Sequence, residues 1–248
     1  MKIGLFDSGF GGMTIMRAVR AALPQYDYLY YGDTKNVPYG DKTSEEIYGF
    51  MEQAVEHLFS RGALVIVVAC NTASTQALRK LQDTFLKERY PDRRILGVII
   101  PTIEEMIAQG THRALLVGTT HTVNSRKYDI ELEKATNVEI KLESVATPTL
   151  VPLIESGKIN DALHTLTEVI DSRVGEIDAV VLACTHYTVL AKPLRARYAT
   201  LRILSQDDII PAKLAEYLQR HPELESKLGK GGTLSVHFTS KNTTDPLS

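Results

Sequence analysis

The sequence predicts an α/β protein of two similar lobes with mainly parallel sheets and an active-site cleft between them. Three observations carry this expectation. Short runs of Val, Ile, Leu and Ala alternate with longer segments whose apolar residues recur every three or four positions, the pattern of strands joined by crossover helices. Both cysteines of the 248-residue chain stand just past such a run, in Val65-Ile-Val-Val-Ala69-Cys70 and Val180-Val-Leu-Ala183-Cys184. A loop of small residues precedes each cysteine at a similar distance, 63 residues from Asp7 to Cys70 and 65 from Thr119 to Cys184. Ligands of open α/β sheets bind beyond the carboxyl ends of the strands, so two such units facing each other would enclose a cleft between two thiols.

Strands are predicted over 3–6, 28–31, 64–69, 95–100, 114–117, 139–145, Ala179–Ala183, 201–204 and Leu234–Phe238. Most are continuous apolar runs, as expected of parallel strands covered on both faces. Helical spacing is found over 13–23, 44–61, 74–89, 103–109, 123–135, Leu150–Glu155, 158–174 and 209–220. Low-complexity sequence is confined to 239–248, which is expected to form a loose tail without function.

Composition narrows the function. With 28 basic and 30 acidic residues the formal charge is −2, too small to draw in nucleic acid or an anionic membrane surface. No apolar stretch approaches the ~20 residues of a spanning helix, and an acidic residue at position 7 interrupts any signal-peptide pattern. A cytoplasmic location is expected, where both thiols stay reduced.

The loops hold the chemistry. Asp7-Ser-Gly-Phe-Gly-Gly12 joins a strand to a helix and could hold an anion on its N–H groups, but it meets the dinucleotide fingerprint only in part. Thr14 takes the place of the third glycine, although Asp33 lies at a suitable distance for a ribose contact. Asp7 beside a pyrophosphate would be a poor charge pairing; it suits a proton carrier, a binder of an amino group, or a helix cap. Gly32 to Gly40 is a polar turn with Pro and Gly punctuation. Gly118-Thr-Thr-His-Thr122 offers hydroxyls and N–H groups for a carboxylate or a cap. Cys184 and His186 could form a nucleophile pair with Glu155 orienting the imidazole, while two distant cysteines and scattered histidines lack metal-ligand spacing.

Taken in order along almost the whole chain, these motifs resemble the glutamate racemases of the aspartate/glutamate racemase superfamily. The resemblance is carried by Asp7-Ser-Gly-Phe-Gly-Gly12, Gly32-Asp33-Thr34 with Val37-Pro-Tyr-Gly40, Ala69-Cys-Asn-Thr-Ala-Ser74, Gly118-Thr119 with Thr122-Val123, Val151-Pro-Leu-Ile-Glu155 and Cys184-Thr-His-Tyr187. It implies a cofactor-independent amino-acid racemase, with no metal, that supplies D-glutamate for peptidoglycan. It also implies one lobe of residues 1–95 with 207–248, a second lobe of 96–206, and compatibility with a homodimer. The resemblance places Cys70 and Cys184 as the paired acid and base. Asp7 would stand beside Cys70, and His186 beside Cys184 with Glu155 in support. Ser8, Pro38, Tyr39, Gly40, Asn71, Thr72, Thr119, Thr122 and Thr185 match substrate-binding positions. The partner expected is a small amino acid.

Three departures bear on side-chain specificity and lobe coupling. Ile100-Pro101-Thr102 replaces a common Glu-Pro-Gly, Thr147 stands where many members have Cys, and Thr188 where Pro is common. The chain begins at its first strand, so activation by a peptidoglycan precursor through an N-terminal extension is not expected. Another acidic or diaminodicarboxylic substrate, a Cys–His hydrolase or transferase, and a noncatalytic amino-acid-binding module are the competing readings.

Overall fold

The computed structural model describes residues 1–135 and 139–240. Its strands are β1 (Lys2–Asp7), β2 (Tyr28–Gly32), β3 (Ala63–Val68), β4 (Arg94–Gly97), β5 (Arg113–Gly118), β6 (Lys141–Ala146), β7 (Ala179–Ala183), β8 (Arg202–Ser205) and β9 (Leu234–Phe238). They form two parallel sheets, ordered β4-β3-β1-β2-β9 and β6-β5-β7-β8. Setting β9 aside, β5 to β8 repeat the topology of β1 to β4, which accounts for the recurring loop-to-cysteine spacing. In each sheet the chain leaves a central strand to one side and returns on the other, between β1 and β3 and between β5 and β7. Such switch points open a crevice at the carboxyl ends of the strands. Asp7, Cys70, Thr119 and Cys184 all stand at these two crevices.

Burial explains why these segments are strands. All six residues of β3 and all five of β7 are buried, because helices cover both faces. Phe6, Ile66 and Val68 pack on Met51, Leu58 and Phe59, while Leu5, Val65 and Val67 face Met16, Val19 and Ile210 across the sheet. In the second sheet Val117 and Leu182 meet Leu166, Ile170 and Leu194, and Leu116 and Val181 meet Met106 and Tyr128. The period-2 alternation of side chains sorts each strand between two helical layers. Helix Ser44–Ser60 starts at a capping box in which Thr43 and Glu46 each accept the other's backbone N–H.

Three predicted elements are corrected. The strand expected over 95–100 ends at Gly97, and helix Ile99–Ala108 begins in the same apolar run. An apolar run of this length does not distinguish a strand from the first turn of a buried helix. Pro101 fits that turn because its missing N–H has no intrahelical partner to lose. The helix expected over 123–135 is two helices, Thr120–Asn124 and Lys127–Lys134, separated where Arg126 takes a left-handed φ of 51°. The tail expected from 239 is not loose at its start. Thr239 and Ser240 are hydrogen-bonded to the loop after β2, and 241–248 lie outside the described residues. Among the described residues no helix is long and apolar enough to cross a membrane.

Candidate active site

Loops from both sheets converge on one cavity of about 390 Å³, to which the first sheet contributes Ser8 and Cys70 and the second Thr119 and Cys184. Cys70 caps the helical segment 71–89, where its Sγ accepts from the Ala73 N–H at 3.4 Å and from Ser8 Oγ at 3.3 Å. Asp7 is fully buried near it. Its carboxylate accepts from the N–H groups of Gly9 (3.1 Å) and Gly12 (3.0 Å) and from Thr185 Oγ1 (3.3 Å), so it ties the β1 loop to the β7 loop. The glycines of this turn are required by close approach. A Cβ on Gly12 would stand 2.5 Å from Asp7 Cβ, and one on Gly11 2.9 Å from the His186 backbone N.

The two thiols have different surroundings. Burial pushes the Cys70 thiol up to about 12, and the negative charge of Asp7 adds to the shift. Cys184 instead faces His186, with Sγ 4.0 Å from Nδ1, while Nε2 of the imidazole lies 3.0 Å from Glu155 Oε1. Burial alone would lower the imidazole; contacts with Cys184 and Glu155 and the charge of Asp7 outweigh it and hold His186 at about 10. His186 is therefore a cation at neutral pH, placed to balance negative charge on Cys184. This difference is expected to show in alkylation by iodoacetamide at about pH 7.5, read by peptide mass spectrometry. Cys184 should be modified faster than Cys70, because the thiolate is the nucleophile, burial and Asp7 disfavour it at Cys70, and Cys184 faces the His186 imidazole. The rate at Cys70 should climb about tenfold per pH unit through the alkaline range, as expected below its high titration point. Faster modification of Cys70 would contradict the assigned surroundings.

Hydroxyls and amides join the two sheets around the cavity. Thr72 Oγ1 lies 2.9 Å from Thr119 Oγ1, which is 3.0 Å from Thr122 Oγ1. The Asn71 carboxamide pairs with that of Gln206 in both directions (2.8 and 3.0 Å) and accepts from Tyr128 OH at 2.8 Å. Thr14 and Thr188 pair at 2.9 Å.

Of the residues singled out in the sequence, Ser8, Pro38, Tyr39, Gly40, Asn71, Thr72, Thr119 and Thr185 line the cavity with Cys70, Cys184, His186 and Glu155. Asp7 and Thr122 do not. Asp7 is fully buried and bound by the glycine turn and Thr185, and Thr122 acts behind Thr119 through its N–H and hydroxyl. Asp33, considered for a ribose contact, is instead buried among Asn36, Tyr39 and Thr239. Thr147, which reads in the sequence as a departure bearing on specificity, and Tyr187, which falls within a motif, are not among the expected site residues, and Gln206 is not singled out at all. Thr147 Oγ1 and Tyr187 OH lie 2.9 Å apart at the cavity wall, and their motif neighbours were the available signal. Gln206 lies in no motif, and only the fold brings it to Asn71. Among the described residues no group of three or more His, Cys, Asp or Glu is arranged to hold a metal ion.

Residues 13–207 match the Asp/Glu/Hydantoin racemase family. The chain belongs to this family. It is 35% identical to a glutamate racemase of Roseobacter denitrificans over 99% of this chain and 93% of that one. It is 37% identical to a glutamate racemase of a Caulobacter species, covering 93% of this chain and 90% of the relative. In three dimensions it is similar to a glutamate racemase isoform of Bacillus anthracis, with a TM-score of 0.82 and 27% identity over 96% of this chain and 87% of that one. The family resemblance read from the motifs and the two-lobed α/β fold are thus both borne out.

Proposed function

We propose that the protein interconverts L- and D-glutamate without a cofactor, with Cys70 and Cys184 as paired acid and base, and so supplies D-glutamate for peptidoglycan. One observation carries the reading: a single cavity receives one thiol from each sheet, with Cys70 placed to hold its proton and Cys184 facing a cationic imidazole. Racemisation needs that asymmetry. A thiolate at Cys184 takes the α-proton, the C–H electron pair stays on Cα, and the Cys70 thiol returns a proton to the opposite face. Cys184 is then the thiol and Cys70 the thiolate, the state from which the reverse reaction starts. Fixing both carriers in place converts two proton transfers into positioned, intramolecular steps.

The remaining lining serves the carbanion and the substrate's charges. Ser8, Thr72, Thr119 and Thr185 offer hydroxyls to this space, where fixed donors stabilise developing charge more than water does. Asp7 sits between the two loops and holds Thr185 beside Cys184. Glu155 keeps His186 oriented and charged.

Incubation of the protein with L-glutamate in deuterated water tests the proposal. D-Glutamate carrying deuterium at Cα is the expected product, formed equally after exhaustive chelation and without added pyridoxal phosphate. Constant optical rotation with no Cα exchange, in protein shown to be folded, would refute it. Turnover of another acidic or diaminodicarboxylic amino acid in place of glutamate would keep the chemistry and change the substrate.

A further inference from the structure

Asp33 follows β2 and is only 2% exposed, yet it is held by donors from three directions. Asn36 Nδ2 donates to both carboxylate oxygens at 2.9 Å, Tyr39 OH donates to Oδ2 at 2.8 Å, and Thr239 Oγ1 donates to Oδ1 at 2.9 Å. Thr239 stands just beyond β9, the edge strand that closes the first sheet. It is itself fixed, since its N–H donates to Gly32 O at 3.1 Å and its hydroxyl accepts from the Lys35 N–H at 2.9 Å. Ser240 N–H adds a bond to Thr34 Oγ1 at 3.1 Å. The end of β9 thus grips the loop 32–35 from outside.

Tyr39 faces the other way. It is 3% exposed, packs beside Phe50 at 5.8 Å, and belongs with Pro38 and Gly40 to the cavity wall next to Cys70. A buried carboxylate is tolerated only when its lone pairs are satisfied, so the donors on Asp33 are interdependent. Loss of the Thr239 hydroxyl leaves Oδ1 with Asn36 Nδ2 alone, a donor it shares with Oδ2, and lets the carboxylate turn away from Tyr39.

We propose that Asp33 and Thr239 are positioning residues of the substrate cavity: the end of the terminal strand sets the carboxylate that holds Tyr39, and with it the wall 37–40. Neither needs to touch the substrate.

The kinetic arm rests on the racemase reading, and a second arm does not. Thr239→Val keeps the shape and removes the hydroxyl; it is expected to raise KM for glutamate about tenfold in both directions, the loss typical of one hydrogen bond to a charged group, with kcat within about twofold. Thr239→Ser should restore the wild-type KM, which a purely steric role would not predict. Independently of turnover, Thr239→Val should speed alkylation of Cys70 severalfold relative to Cys184, because the wall beside Cys70 is loosened. Should Thr239→Val fail to fold, Tyr39→Phe removes the bond at the other end with the ring in place and should give the same selective gain in Cys70 alkylation. Unchanged Cys70 alkylation in a folded variant would overturn the proposal, as would a rise in KM that Thr239→Ser does not reverse. A wild-type protein inert toward glutamate would refute the racemase reading alone, and the alkylation arm would still decide this one.

Discussion

Cys70→Ala and Cys184→Ala are each expected to lower kcat for racemisation of glutamate by about 10³-fold or more while leaving the thermal midpoint within a few degrees. The magnitude follows from removing one of two general acid–base groups, each contributing ~10²–10⁴-fold. The small effect on folding follows from size: both cysteines belong to core clusters, but replacement by Ala removes a single sulfur atom from each and leaves the bulk of those clusters, around Ile66 and Leu182, in place. One-sided chemistry should survive in each variant. With a glutamate bearing chloride at Cβ, the remaining thiolate can take the α-proton from the face it serves, and the Cα electron pair then expels chloride to leave an enamine. The two variants should therefore eliminate from opposite enantiomers. Full racemisation by either variant, or elimination from the same enantiomer by both, would end the paired-thiol assignment. The measurement is chiral chromatography of each reaction beside a chloride assay.

Local pattern and spatial assembly were unequally legible in the chain. Runs such as 64–69 and Ala179–Ala183 announce buried strands because nothing polar interrupts them, and the cysteines after them mark the same edge in both sheets. Where an apolar run passes from a strand into a helix, as at Val98 to Ile100, composition is silent and only hydrogen bonding decides; there Val98 O accepts from both the N–H and the hydroxyl of Thr102. Residues that act from behind the cavity were harder to place than those lining it. Asp7 reads as a loop carboxylate, but its bonds to Gly9, Gly12 and Thr185 depend on two loops 178 residues apart. Thr239 reads as part of a loose tail because a run of small polar residues has no periodicity, although β9 delivers it beside Asp33. The same holds for Gln206 and Asn71, whose pairing spans 135 positions and has no local signature.

Substitution of His186 by Asn tests the other half of the asymmetry and should produce the second large effect. The amide keeps a polar side chain near Glu155 but cannot carry a positive charge, so a thiolate at Cys184 loses its countercharge in a buried site. Racemisation should fall about 10²-fold or more in kcat/KM, equally in both directions because the equilibrium constant is one, while chloride elimination should fall more for the enantiomer whose α-proton Cys184 takes. That enantiomer is the one that Cys184→Ala no longer eliminates. The pH dependence of folding supplies an independent readout. Because His186 is raised from 6.5 to about 10 in the folded protein, its protonated form contributes stability that is fully present below about pH 6.5 and is lost as pH rises through about 10. The urea midpoint of the wild type should therefore exceed that of His186→Asn most at low pH, and the gap should narrow steadily between those limits. Cys70, raised in both proteins, drops out of the comparison. A gap that stayed constant between about pH 6.5 and 10 would show that the titration of His186 is not raised in the folded protein, leaving it neutral above about pH 6.5. The thiolate at Cys184 would then need another source of charge, and among the described residues none that lines the cavity is a Lys or Arg that could provide it.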